Sequence, residues 1–366
     1  MDRRRFLQSS IALPAAAAAP LASAQSTPAR TPWANGTQWR TFEMVTRVEP
    51  LKAEGTTRVW LPVPLSTPTD YFTSLGNGWS GNAGAMQLVR GKADGDVFYA
   101  EWAAPVEAPY VELTSRFAMR DRAVTGRPEL RPEALGSEEL KYWLKPTEYI
   151  PTDGIVRATA LKATKGAKTD LDKARAVFEW VVENTRRDAK VRGCGLGDIK
   201  TLLETGNLGG KCADLNALFV GLSRSVGVPA RDVYGIRVAP SQWGYRSMSA
   251  SGTITGAQHC RAEFYLPERG WVPVDPADVR KVILEEPPGN LAMDDAKVKL
   301  AHEKLFGAWE MNWCAMNYSH DVKLPGSEGA PVPFFMYPNA ETRTGRKDSL
   351  DPANFRYTIT SREITA

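Results

Sequence analysis

The stretch His259-Cys260-Arg261-Ala262-Glu263-Phe264-Tyr265-Leu266-Pro267-Glu268-Arg269-Gly270-Trp271-Val272-Pro273-Val274-Asp275-Pro276 decides the fold class. Arg261 to Leu266 predicts one strand opened by the histidine, Glu268 to Gly270 a turn, and Trp271 to Val274 a second strand that delivers Asp275. Paired antiparallel, the two strands set the Asp275 carboxylate beside the His259 imidazole. An acid in that place fixes the tautomer of the ring and supports its protonated form, so the ring can take a proton from a nucleophile.

A candidate nucleophile lies upstream. Leu208-Gly209-Gly210-Lys211-Cys212 leads into an apolar stripe at Leu215, Leu218, Phe219 and Leu222, a helix that Gly227-Val228-Pro229 stops. A cysteine that begins a helix meets unpaired N–H groups and the positive end of the dipole, which favours thiolate. Gly209 and Gly210 would let a substrate carbonyl approach the backbone, and the Cys212 N–H would serve as an oxyanion donor. Alone, a cysteine after Gly-Gly-Lys reads as a buried structural thiol; His259 and Asp275 give it a role. An earlier helix begins at Thr169, with Asp172 completing a capping box and Leu171, Ala174, Val177, Phe178, Val181 and Val182 forming its apolar stripe.

The order of these motifs resembles the transglutaminase-like superfamily. The residues that carry the resemblance are Gly210-Lys211-Cys212-Ala213-Asp214, Gly227-Val228-Pro229-Ala230-Arg231, His259 and Gly270-Trp271-Val272-Pro273-Val274-Asp275. It implies a papain-like α+β core over roughly 160 to 285, a helix bearing Cys212 packed on an antiparallel sheet bearing His259 and Asp275, and a Cys-His-Asp triad. Cys260 departs from the pattern, since relatives carry a small or aromatic residue there.

Outward from this core, Trp39 to Arg122 holds short alternating runs such as Arg58 to Leu61, Val97 to Trp102 and Tyr110 to Leu113, which predict an N-terminal β-sandwich-like domain over 38–125. Residues 126–158 read as a connection, 159–290 as the catalytic domain, and 291–366 as an aromatic-rich extension packing on the core, closed by a strand at Phe355 to Ile359. At the other end, Arg3-Arg4-Arg5-Phe6-Leu7, a weakly apolar stretch and Ala22-Ser23-Ala24 read as a twin-arginine export signal cut after Ala24, with a linker over 25–37. No later apolar run approaches the ~20 residues that span a bilayer, so a periplasmic or secreted protein is expected.

The net charge is +4, and Arg3, Arg4 and Arg5 against Asp2 leave +2 for the rest, which gives no footprint for nucleic acid. With Cys212 catalytic, at most one disulfide can form among Cys194, Cys260 and Cys314. Asp214 reads as a structural or helix-dipole carboxylate. Trp180 reads as core or as an oxyanion-stabilising aromatic, and Trp309, Trp313 and Tyr318 as core or as walls of a substrate cleft. His302 and His320 have no companions at metal-ligand spacing, and neither metal nor cofactor is expected. Two functional readings follow: a cysteine enzyme acting on amide or peptide bonds, of cell-envelope substrates among others, or a binding or assembly protein that keeps the fold without turnover. Hydrolysis and transamidation share the acylation half-reaction, and spacing does not separate them.

Overall fold

A computed structural model describes residues 38–51, 54–91, 95–124 and 134–364. The export signal and linker expected over 1–37 lie outside the described residues. The N-terminal part is built from β1 (Arg40–Glu49), β2 (Thr57–Pro62), β3 (Phe72–Gly81), β4 (Ala85–Val89), β5 (Val97–Trp102) and β6 (Val111–Met119), followed by the short β7 (Arg122–Ala123). Helices α1 (Ser137–Tyr142), α2 (Gly154–Ala163) and α3 (Asp170–Asn184) come next, then β8 (Arg186–Arg187), α4 (Ile199–Thr205), β9 (Gly209–Gly210) and α5 (Cys212–Ser225). The central sheet takes β10 (Ala230–Arg237), β12 (Gln258–Leu266) and β13 (Gly270–Val274), with β11 (Gly252–Thr253) between the first two in sequence. Helices α6 (Pro276–Glu285) and α7 (Ala296–Lys304) precede β14 (Ala308–Trp309), β15 (Trp313–Asn317), β16 (His320–Val322), β17 (Val332–Phe334), β18 (Asn339–Thr342), β19 (Gly345–Arg346) and β20 (Arg356–Ile364).

The strands predicted around His259 and Asp275 form as an antiparallel pair, with Ala262 opposite Val274 and Leu266 opposite Gly270. They make one side of the sheet β13-β12-β10-β15. Helix α5 packs on β12 and β10, and all of its residues are buried, Asn216 included. A helix buried all round is the centre of a core rather than its cover. Helix α3 contributes Ala174, Val177, Phe178, Val181 and Val182 to the same core, and the Thr169 and Asp172 capping box closes its start.

The N-terminal strands form two five-stranded sheets, β11-β20-β1-β6-β3 and β19-β18-β2-β5-β4, which share a core of Val48, Val59, Leu61, Phe98, Trp102, Val111 and Leu113. The region expected at 291–366 to pack on the core does more than that. It sends β15 to the central sheet, β18 to the second sandwich sheet and β20 to the first, where Thr41 pairs Ile364 and Glu49 pairs Arg356. An alternating strand with an unpaired edge beside it satisfies its backbone groups by this pairing. The expected connection also holds structure of its own, since α1 and the start of α2 fall within it.

Candidate active site

Cys212 occupies the first position of α5, behind the N-cap Lys211. Its N–H therefore has no acceptor within the helix and points from the positive end. His259 stands one residue into β12, and Trp313 fixes it by donating Nε1–H to the His259 carbonyl at 2.8 Å. Asp275 directly follows β13 and caps α6: Oδ1 accepts the Asp278 N–H at 3.0 Å, and Pro276 follows at the first helical position. Its other oxygen, Oδ2, lies 2.7 Å from His259 Nε2. Asn216, one turn along α5 from Cys212, gives its amide to the Cys260 carbonyl at 2.8 Å and to Asp275 Oδ1 at 3.3 Å. The helix bearing the cysteine and the strand end bearing the acid are thus tied by one side chain.

A second carboxylate completes the group. Asp278 Oδ2 lies 3.4 Å from His259 Nε2, and both Asp278 oxygens receive Arg237 Nη2, at 2.6 and 2.5 Å. His259, Asp275 and Asp278 are spaced closely enough for a metal ion. Each is already engaged by a protein partner, Asp278 by a guanidinium and Asp275 by the imidazole and a backbone N–H, so the donors form a closed ion-pair network.

The electrostatics favour a charged pair. The Cys212 thiol is held well below its usual value, first by hydrogen bonds from the Cys194 and Cys260 thiols and then, against burial, by His259. His259 moves the other way: burial opposes the imidazolium, but Asp278 and Asp275 outweigh it. Cys194 is pushed up by its hydrogen bond to Cys212 and by burial, Cys260 by burial and then by Cys212. Among the three thiols the opposite shifts favour ionisation of Cys212 over that of Cys194 or Cys260. The single S–H of Cys194 faces two acceptors, the Cys212 sulfur and the Gln258 carbonyl at 3.3 Å.

The loop carrying Cys194 is docked on α5 by Asp214. Its Oδ1 accepts the N–H groups of Leu196 (3.0 Å) and Gly197 (2.9 Å), and Oδ2 that of Lys211 (2.9 Å), while Ala213 N–H binds the Cys194 carbonyl at 3.0 Å. Asp214 is structural, as its place in the first turn suggested.

Several expectations need correction. Gly210 does not line the cavity above Cys212; a Cβ there would meet Asp214 Cβ at 2.6 Å, so its missing side chain admits Asp214 rather than substrate. Trp309 and Trp313 are wholly buried and are not walls of a cleft: their rings meet edge-on, with Arg261 against both. Tyr318 is buried against Arg231 and Trp143. Trp180 packs half-buried on the core around α5 and does not reach the cavity. All four cysteines are free thiols, so the disulfide allowed among Cys194, Cys260 and Cys314 does not form, and Cys260 lies against Cys212. His302 and His320 engage Glu179 and Asp232. Asn216, Asp278 and Cys194 were missed; a Gly-Cys-Gly-Leu-Gly run and a second Asp three residues after a strand-ending Asp were the available signals.

The transglutaminase-like superfamily model matches residues 157–276, the span that holds Cys212, His259 and Asp275. An uncharacterized protein of Haemophilus influenzae is 34% identical over 341 residues, which cover 89% of this chain and 90% of that one. Among solved structures, a candidate cysteine protease from Cytophaga hutchinsonii has a TM-score of 0.50 at 16% identity, over 89% of this chain and 99% of its own. The periplasmic domain of TgpA from Pseudomonas aeruginosa has a TM-score of 0.35 at 16% identity, over 71% of this chain and 98% of its own. With a matching motif order, a matching core and a relative similar along most of its length, the chain belongs to the transglutaminase-like superfamily.

Proposed function

We propose that this protein is an exported cysteine-dependent acyl-transfer enzyme that acts on amide or peptide bonds. The observation that carries the reading is the convergence of a thiol held low, an imidazole held high and a buried carboxylate 2.7 Å from that imidazole. The Cys212 thiolate attacks the carbonyl carbon, and the Cys212 N–H at the helix start faces the developing oxyanion. As the tetrahedral adduct collapses, His259 gives its proton to the departing amine and an acyl-thioester remains. His259, now neutral, takes a proton from water; the hydroxide adds to the thioester, and the acid leaves as the thiolate and imidazolium are restored. Asp275 orients the ring throughout. Within this reading hydrolysis is favoured over transamidation, because the arginine-led N-terminus reads as an export signal and water is abundant in the periplasm. Among the described residues no helix is long and apolar enough to cross a membrane.

The test is incubation with a mixed peptide library, with and without cadaverine, followed by mass spectrometry. Shortened peptides identify hydrolysis, and a cadaverine adduct identifies transamidation. Products equal to those from Cys212→Ala would contradict the enzyme reading and favour a binding protein.

A further inference from the structure

The cavity above Cys212, about 290 Å³, is lined by Arg187, Lys211, Arg237 and Lys281, and by no aspartate or glutamate. The carboxylates behind these cations are fewer than the cations. Glu285 is shared by Arg187 and, at 3.6 Å, Lys281; Asp278 is taken by Arg237; Lys211 has no ion-pair partner among the described residues. Two paired carboxylates, Glu285 and Asp278, thus stand behind four cations that line the cavity. Acylation of Cys212 leaves these four cations in place. Burial and the neighbouring Arg237 push the Lys281 ammonium below its usual value, as expected of a cation short of counter-charge. A cleft with one sign of charge on low-dielectric walls concentrates the opposite ion.

We propose that the acyl donor carries a free carboxylate close to the carbonyl that is attacked, held by Lys281, Lys211 and Arg187: the substrate is an acidic peptide or amide. This rests on the reading of Cys212 as an activated nucleophile.

Two reagents that differ mainly in charge test it, iodoacetate and iodoacetamide. Both alkylate Cys212 with loss of iodide, and only the first brings a carboxylate. The rate ratio of iodoacetate to iodoacetamide at Cys212, divided by the same ratio for free cysteine, should be on the order of tenfold or more at low salt, and should shrink as salt screens the cavity. Lys211→Gln and Lys281→Gln should each lower that quotient several-fold while iodoacetamide still reacts; Lys211 breaks no ion pair, so a folding defect at Lys281 would not remove the test. Protection against iodoacetamide by N-acetylglutamine or by N-acetylglutamate α-amide distinguishes a terminal carboxylate from a side-chain one, and either result supports the proposal. Rapid iodoacetamide labelling with a quotient near one would overturn the acidic-substrate proposal and leave the nucleophile intact. Slow labelling by both reagents would overturn the nucleophile reading, and the proposal with it.

Discussion

Cys212 differs from an ordinary buried cysteine in the company it keeps. Two thiols, Cys194 and Cys260, and one imidazole stabilise its anion, and each removal has a definite sign. Because these donors lower the Cys212 pKa, Cys194→Ala or Cys260→Ala should move the acid limb of its alkylation profile to higher pH. No shift in either variant would remove the thiols from the account. In turnover, where His259 must give a proton to the departing amine, the basic limb should lie above the ordinary imidazole value of 6.5, since His259 is raised. Asp275→Asn should keep the fold but lower turnover by roughly 10³- to 10⁴-fold through the wrong tautomer. At this scale the places of Cys212, His259 and Asp275 at element ends were legible, because each opens or follows an element with a clear local pattern. Cys194, Asn216 and Asp278 were not, because their roles come from contacts between elements distant in sequence.

Among the elements, the start of α5 depends on a loop that could not form with larger residues. Gly195 adopts φ +91°, and a Cβ there would fall 1.9 Å from Asp214 Oδ2. Gly195→Ala should therefore displace the Cys194 loop and slow alkylation of Cys212, although the substituted residue is not itself in the chemistry. Asp214→Ala leaves three backbone N–H groups without their acceptor and should cost about 1–3 kcal/mol or more of stability, read from denaturant unfolding; an unchanged midpoint would show that the loop is held otherwise. Periodicity, caps and stops placed α3, α5, β12 and β13 in the sequence. The use of Asp275 as the cap of α6 was latent in Asp275-Pro276, a cap followed by proline at the first helical position.

Across the whole molecule, the N-terminal sandwich and the central sheet are joined by a buried ion triad. Glu263 on β12 receives Arg122 from the end of the sandwich and Arg231 from β10, the latter at 2.7 Å. Glu263→Gln leaves two guanidinium groups short of a partner and should cost about 3–5 kcal/mol. The arginines hold the Glu263 carboxyl below its usual value despite burial. Its contribution is therefore present at neutral pH and is lost as pH falls from the unfolded-state pKa through the folded-state one; the variant should lack that part of the acid sensitivity in thermal unfolding. The chain end matters equally: deleting β20 strips β1 of a partner and removes the buried Ile359, so truncation after residue 354 should lower the melting temperature and promote aggregation. This return of the C-terminus into the first sheet was not legible, because strand alternation at Phe355 to Ile359 announces a strand and not its partner. All of this architecture holds Cys212 and His259 together, and the pH dependence of Cys212 alkylation by iodoacetamide, followed by peptide mass spectrometry in wild type and His259→Ala, tests that claim most directly. The account predicts fast labelling that begins well below the range of an ordinary thiol and is lost or shifted to high pH in His259→Ala; a wild-type profile with an ordinary thiol midpoint, unchanged in the variant, would contradict it.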